Sequence, residues 1–384
     1  MKHTLIATKK QPVSQEPNQA ADAPSDPLRL GVIPGDGIGV QVTEAALTAL
    51  EAALARTSGP ECAVERFDWS CERYLREGSF RADGDLERLA EQDAILFGAV
   101  GWPTVPDHLS LWGMRLAICQ GFDQGICVRP THLLENVPTP LRDRSAGDLE
   151  FIVVRENTEG EYSGAGGRVH GGQPTELALQ TTVVSRASTE RVARYAFELA
   201  RRRPAGRLLS VTKSNASQYA CVLWDEVVAE VAAEFPEVSW ESALVDAVAA
   251  KLILKPESAD VILASNLHAD ILSDLTAALT GGLGLAPSSN LSCDPRYPSM
   301  FEPVHGSAPD LEDPAMANPI GAILSAAMLL EDRGETEAAM AIRGGVDSSC
   351  AAGVLTPDLG GRASLEEVSA AVVEAIGAPR SSVR

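Results

Sequence analysis

Apolar positions in this chain alternate between two periods, and the switches outline its elements. LRLGVI (28–33), AILFGAVG (94–101), EFIVVRE (150–156), RLLSVTK (207–213) and DVILASN (260–266) are short, nearly continuous apolar runs. That pattern predicts strands covered on both faces. From Val40 to Leu54 the apolar residues recur every three or four positions and predict an amphipathic helix. Val192, Tyr195, Ala196 and Leu199 keep the same spacing, predicting a helix over 188–203 capped by Ser188. Asn318-Pro319 reads as a cap followed by proline at the first helical position, opening a helix through Leu330. Ser364-x-x-Glu367 is a capping box for the last helix. Strands alternating with helices give an α/β protein. SGAGGRVHGG (163–172), followed by TELALQTTVV, breaks the alternation and predicts a loop leading into a two-stranded arm.

The 384 residues, 45% hydrophobic, suffice for a large core in two lobes. Lys plus Arg number 32 against 53 Asp plus Glu, a net charge of −21. This argues against general binding to a nucleic-acid backbone or to an anionic membrane surface. It leaves a small anionic ligand open, because a few local arginines override the global field. No stretch approaches the roughly 18 uninterrupted apolar residues of a transmembrane helix. MKHTLIATKK lacks the apolar core and cleavage site of a secretory signal. Cysteines at 62, 71, 119, 127, 221, 293 and 350 never form C-x-x-C, so free thiols in a reducing cytoplasm are expected. Residues 1–28, with Pro12, Pro17, Pro24 and Pro27 among polar neighbours, predict a disordered tail.

Gly35-Asp36-Gly37-Ile38-Gly39 follows a strand and opens a helix, yet it fails as a dinucleotide fingerprint. The third glycine would stand at position 40, which is Val40, and an aspartate inside a pyrophosphate cradle repels its ligand. Asp270 and Asp274 in SNLHADILSDL lie four apart, on one helix face. Like charges there need either solvent or a cation between them. Oxygen-only ligands select Mg²⁺ or Mn²⁺, and a solvated polar face is the plain alternative. Asp246 in ALVDAVAA is a third oxygen donor if the fold brings it close. Lys213, ending an apolar run, is a candidate base, and Tyr162, at a glycine-flanked turn, a candidate acid. Arg129 and Arg155 are candidate carboxylate forks, with surface ion pairing as the alternative.

Together these pieces resemble the metal-dependent β-decarboxylating dehydrogenases that act on isocitrate, isopropylmalate, D-malate and tartrate. The resemblance covers about residues 29–376. It rests on IPGDGIG (33–39), VRP (128–130), VRENTEGEYSGAGGR (154–168), TKSN (212–215), SNLHADILSDL (265–275), FEPVHGSAPD (301–310) and MANP (316–319). GAVGWPTVPDHLSLWG (98–113) and QGFDQ (120–124) look most like the tartrate/D-malate branch. The resemblance implies a two-lobe α/β fold that is not Rossmann, with a central sheet in each lobe. Residues 29–124 plus 281–384 would form the large lobe, and 125–280 the small lobe with the arm and a homodimer interface. It implies an active site shared by two subunits, with Lys213 and Asp246 supplied across the interface. Asp246, Asp270 and Asp274 would hold Mg²⁺ or Mn²⁺, Lys213 would be the base and Tyr162 the acid. The cofactor would lie on His305, Gly306, Ser307, Ala308 and Asp310, with Asn318 nearby. A carboxylate at Asp310 accepts from both ribose hydroxyls and repels a 2′-phosphate, so NAD is expected. K⁺ is a further candidate cofactor.

One departure bears on the substrate. The family grips its acid with three arginines; Arg129 and Arg155 fill two places and Cys119 stands in the first. A thiol cannot make that charge-assisted contact, a loss of about 2–5 kcal/mol. One helical turn earlier stands Arg115, at the position that reads the substrate side chain. Arg115 either replaces the missing guanidinium or recognises an extra anionic group on an unusual 3-substituted malate. His268-Ala269 also replaces the usual Phe-Gly. The rival readings are a lyase that only decarboxylates an oxo acid and a non-catalytic regulatory subunit. The complete acid–base and metal set argues against the subunit, and the intact cofactor loop against the lyase.

Overall fold

The computed structural model describes residues 26–378. In chain order the strands are β1 (Leu28–Gly35), β2 (Cys62–Arg66), β3 (Ala94–Ala99), β4 (Ile126–His132), β5 (Glu150–Glu156) and β6 (Gly166–Val169). They continue with β7 (Leu177–Gln180), β8 (Arg207–Thr212), β9 (Ser239–Leu244), β10 (Val261–Ala264), β11 (Pro287–Leu291) and β12 (Ser299–Pro303). Ten of them form one sheet in the order β2-β1-β3-β12-β11-β4-β5-β10-β8-β9. Its two ends are parallel, and its middle, β12-β11-β4-β5, is antiparallel. The sheets expected in the two lobes are thus the two parallel ends of one continuous sheet. β6 and β7 pair only with each other, forming the predicted arm.

The inner strands of the parallel ends, β1, β3, β8 and β10, are buried on both faces, as their apolar runs require, while the outer strands β2 and β9 are largely exposed. In β3, Leu96 joins a core with the helices Gly39–Thr57, Ile320–Asp332, Thr336–Ala351 and Leu365–Gly377. Its neighbours Ile95 and Phe97 face the opposite side, against Trp69, Met114 and Ile118. In the other end, Val154, Val261 and Leu263 pack under the helices Arg186–Arg202 and Ala220–Ala232.

Three boundaries differ from the sequence reading. The expected tail lies outside the described residues through position 25, and Leu28, read both as its last residue and as the first of LRLGVI, opens β1 by donating its N–H to the Glu61 carbonyl. The helix expected from Ser188 begins at Arg186 and is capped by Ser185, whose hydroxyl accepts from the Ser188 N–H. Pro319 is the cap residue rather than the first helical one; Asn318 Oδ1 accepts from Ile320 N at 3.0 Å. The capping box of Ser364 and Glu367 forms as read. Among the described residues no helix is long and apolar enough to cross a membrane.

Candidate active site

The antiparallel middle of the sheet builds the site. Residues directly opposite across a strand pair share a face, as do residues two apart along a strand. Cys127 faces Arg155 in β5 and Asn290 in β11, and Asn290 faces Met300 in β12. Arg129 and Glu302, each two residues further along, therefore join Arg155 and Asn290 on one side. A cavity of about 160 Å³ lies over that side, lined by Arg115, Arg129, Arg155, Tyr162, Asp270, Glu302 and His305 among others.

The helix Asn266–Leu279 brings Asp270 to the cavity lining, with Asp274 one turn further along. Arg155, 2% exposed, pairs with Asp270 Oδ1 and donates from Nε to Asn266 Oδ1 at 2.9 Å. Arg129 Nη1 lies 3.5 Å from Asp270 and 3.7 Å from Asp274, and donates to Ser273 Oγ at 2.6 Å. A guanidinium thus supplies the positive charge that two carboxylates one turn apart require. Burial pushes Asp270 up, but Arg155, Arg129 and the Tyr162 hydroxyl outweigh it and hold the carboxyl below its ordinary range. Asp274 is pushed up, because burial together with the Asp270 charge outweighs Arg129 and Arg155. Arg129 Nε is buried without a partner.

Tyr162 reaches Asp270 because the ENTEG turn is clamped from inside. Glu156, 3% exposed, accepts from the N–H groups of Thr158 and Glu159 and from the Ser188 hydroxyl. Asn266 donates to the Glu159 carbonyl at 3.0 Å, and Gln120 to the Tyr162 carbonyl at 2.8 Å. The Tyr162 hydroxyl then donates to Asp270 Oδ2 at 2.9 Å, with Arg155 5.3 Å over its ring. Burial and the Asp270 charge push the phenol pKa up, so it keeps its proton.

Lys213 and Asp246 stand together elsewhere, at the ends of β8 and β9, with Nζ 2.7 Å from Oδ1. They do not line this cavity. Among the described residues no three acidic, His or Cys side chains of one chain gather to hold a metal. Asp246 therefore does not join Asp270 and Asp274 within a subunit. His268 bonds Ser265 Oγ through Nδ1 at 3.1 Å, and burial lowers its pKa.

Arg115 and Cys119 part company. Arg115 enters the cavity wall, where Nε donates to Glu302 Oε1 at 2.7 Å and Nη2 to Asn290 Oδ1 at 3.0 Å. Cys119 is fully buried, absent from the cavity lining, and receives a long contact from Asn157 Nδ2 at 3.7 Å. Burial, partly opposed by Arg115, pushes its thiol up to about 11, so Cys119 packs as a neutral side chain. Glu302 and Asn290 were missed in the sequence, although FEPVHG contains the first of them.

The expected cofactor loop runs past the cavity mouth. Gly306, Ala308, Pro309 and Asp310 are exposed, while Ser307 is buried and donates to the Gly101 carbonyl. Ser307 Oγ is thus an anchor rather than a cofactor contact. Asn318 is also spent internally, accepting from Ile320 N and donating to Asp358 Oδ2 at 3.0 Å. His305 Nδ1 meets the Gly306 carbonyl at 2.9 Å; its Nε2 is buried without a partner, and the residue lines the cavity.

Residues 29–376 match the protein family described as isocitrate/isopropylmalate dehydrogenase. The chain is 50% identical over 348 residues to a probable tartrate dehydrogenase/decarboxylase of Agrobacterium vitis, covering 91% of this chain and 97% of the relative. It is 45% identical to the decarboxylating D-malate dehydrogenase of Escherichia coli K12, covering 91% and 98%. With tartrate dehydrogenase/decarboxylase of Pseudomonas putida it shares 42%, covering 92% and 99%. Among solved structures, isocitrate dehydrogenase from Methylococcus capsulatus superposes with a TM-score of 0.81 at 31% identity, covering 91% and 99%.

Proposed function

This chain belongs to the isocitrate/isopropylmalate dehydrogenase family and is an oxidoreductase acting on CH–OH groups; we propose that it oxidises a (2R)-2-hydroxy acid of the malate type and then releases the β-carboxyl group. The observation carrying this is the cavity face on which Arg129, Arg155, Tyr162 and Asp270 converge. Arg129 and Arg155 supply two guanidiniums for the two carboxylates of a malate-type acid. Lys213 takes the hydroxyl proton. Tyr162 keeps its proton until it delivers it to the enolate carbon left by decarboxylation. When bound, NAD accepts the hydride, and a divalent ion stabilises the negative charge that develops on oxygen in both steps.

The donor chemistry fits such an ion: Asp270 and Asp274 offer oxygen ligands one turn apart, and Asp246 of a second subunit would complete the set. Chelation of divalent ions should abolish turnover. Asp274→Asn should raise the Mn²⁺ concentration for half-maximal rate by about tenfold or more. A variant with unchanged metal dependence would remove Asp274 from the site. For the cofactor, exposed Asp310 should favour NAD over NADP by at least about tenfold in kcat/KM; equal use of both would overturn that assignment.

The C3 substituent is read by Arg115 together with Glu302. Glu302 neutralises the Arg115 charge, which makes it a weak reader of a third anion. Arg115 Nη1 and Glu302 Oε2 have no partner among the described residues. A donor beside an acceptor complements a hydroxyl, so a tartrate-type 3-hydroxy acid is favoured over an anion-substituted malate. We assign the protein to the cytoplasm as a homodimer, with lobes of 29–124 plus 281–384 and 125–280.

NADH formation should be measured with D-malate, tartrates, isopropylmalate, isocitrate and anion-substituted malates, with Mn²⁺ and K⁺ present. Turnover of none would overturn the reading. CO₂ release from an oxo acid without any NADH formation would replace it with the lyase.

A further inference from the structure

The GDGIG turn, rejected as a phosphate cradle, is the fastening of the cofactor loop. Asp36 is 5% exposed, yet both carboxylate oxygens are engaged. Oδ1 accepts from Cys71 N at 2.7 Å, and Oδ2 from Gly101 N at 2.9 Å. The Gly101 carbonyl in turn accepts from the Ser307 hydroxyl. The Ser307 carbonyl accepts from Ile38 N at 3.1 Å, which closes the ring on the turn where it began. Gly37 permits this approach: its φ is +54°, and a Cβ there would lie 2.2 Å from the Ser307 oxygen. With Ser307 drawn inward, Ala308 takes φ of 47° and turns the following residues toward solvent.

We propose that Asp36 is a positioning residue for the dinucleotide: through Gly101 and Ser307 it fixes the outward conformation of residues 305–310, and so sets cofactor affinity without touching the cofactor. The proposal rests on the NAD reading above. Carboxylate–N–H bonds are charge-assisted, and an asparagine would set an NH₂ group against one of the two N–H donors. A loop held less firmly must be ordered on binding, which weakens affinity.

The test is NADH binding to the purified full chain, by fluorescence titration without acid substrate, in wild type, Asp36→Asn and Ser307→Ala. The thermal midpoint and the KM for the acid substrate are measured alongside. The Kd for NADH should rise about tenfold in Asp36→Asn and about threefold in Ser307→Ala, with acid KM and thermal midpoint little changed. NADH affinity within twofold of wild type in both variants would overturn the proposal. So would a parallel loss of NADH affinity, acid affinity and thermal stability, which marks general loosening. If Asp36→Asn does not fold, Ser307→Ala decides alone, since it removes only the far bond of the ring. A wild type that binds no NADH would overturn the NAD reading itself, and this proposal with it.

Discussion

Two inactive variants should regain activity when combined. Lys213→Ala would remove the proposed base and Tyr162→Phe the proposed acid, and in the proposed homodimer each variant should lose about a thousandfold or more in kcat. Lys213 and Asp246 bond each other at 2.7 Å but lie off the cavity that holds Tyr162, Arg155 and Asp270. On the proposed reading, one chain carries two half-sites. The helix of Asp246 ends in Ile253 and Leu254, 50% and 76% exposed, and Ile271 on the aspartate helix is 58% exposed. These exposed apolar residues, on the elements that carry the proposed half-sites, are what the proposed second copy would cover. In a two-fold dimer, Tyr162 of the Lys213→Ala chain then meets Lys213 of the Tyr162→Phe chain. One of two sites is intact in each heterodimer, so random mixing should return about a quarter of wild-type activity. Verified heterodimers that stay inactive would show that the site is not divided in this way.

What the sequence made legible follows from where charge sits in the fold. The inner strands of the parallel ends are buried on both faces, so β1, β3, β8 and β10 read as apolar runs. The antiparallel middle has one face given to the site, and PSSNL and SMFEP in β11 and β12 carry polar residues that mask them as strands. Glu302 and Asn290 stayed hidden for that reason, although the register from Cys127 to Met300 puts them beside Arg129 and Arg155. An alternating reading of Cys127, Arg129, Met300 and Glu302 is the signal that could have revealed them. Ser188 was mistaken for the cap because the apolar stripe first shows at Val192, and Ser185 is equally able to cap. Asp246 was chosen for sound chemistry, but its partners lie on another part of the surface, and no spacing within one chain can show that. The role of the aspartate in GDGIG is not legible from its motif, because its bonds to Cys71 and Gly101 span loops far apart in sequence.

Replacing Arg115 by leucine should reduce kcat/KM on a tartrate-type substrate by about a hundredfold, and on D-malate by much less. The pair Arg115–Glu302 is nearly fully buried, so losing the guanidinium strands a carboxylate, at about 3–5 kcal/mol when a buried pair is broken. Part of that penalty falls on folding, which thermal unfolding of the variant would register separately from kinetics. The double change Arg115→Leu with Cys119→Arg moves the guanidinium one turn along the same helix face. Because Cys119 is fully buried among apolar side chains and off the cavity lining, an arginine there should destabilise the chain and rescue neither D-malate nor tartrate turnover. The outcomes separate the possible roles of Arg115. Equal losses on both substrates, both restored by the double change, would make it a plain substitute for the missing arginine. A wild type that prefers an anion-substituted malate to tartrate would make it an anion reader despite Glu302. Glu302→Gln distinguishes further: freeing the guanidinium charge while keeping an oxygen acceptor should shift preference from the hydroxyl toward the anionic substituent. No shift in that variant would remove Glu302 from substrate choice.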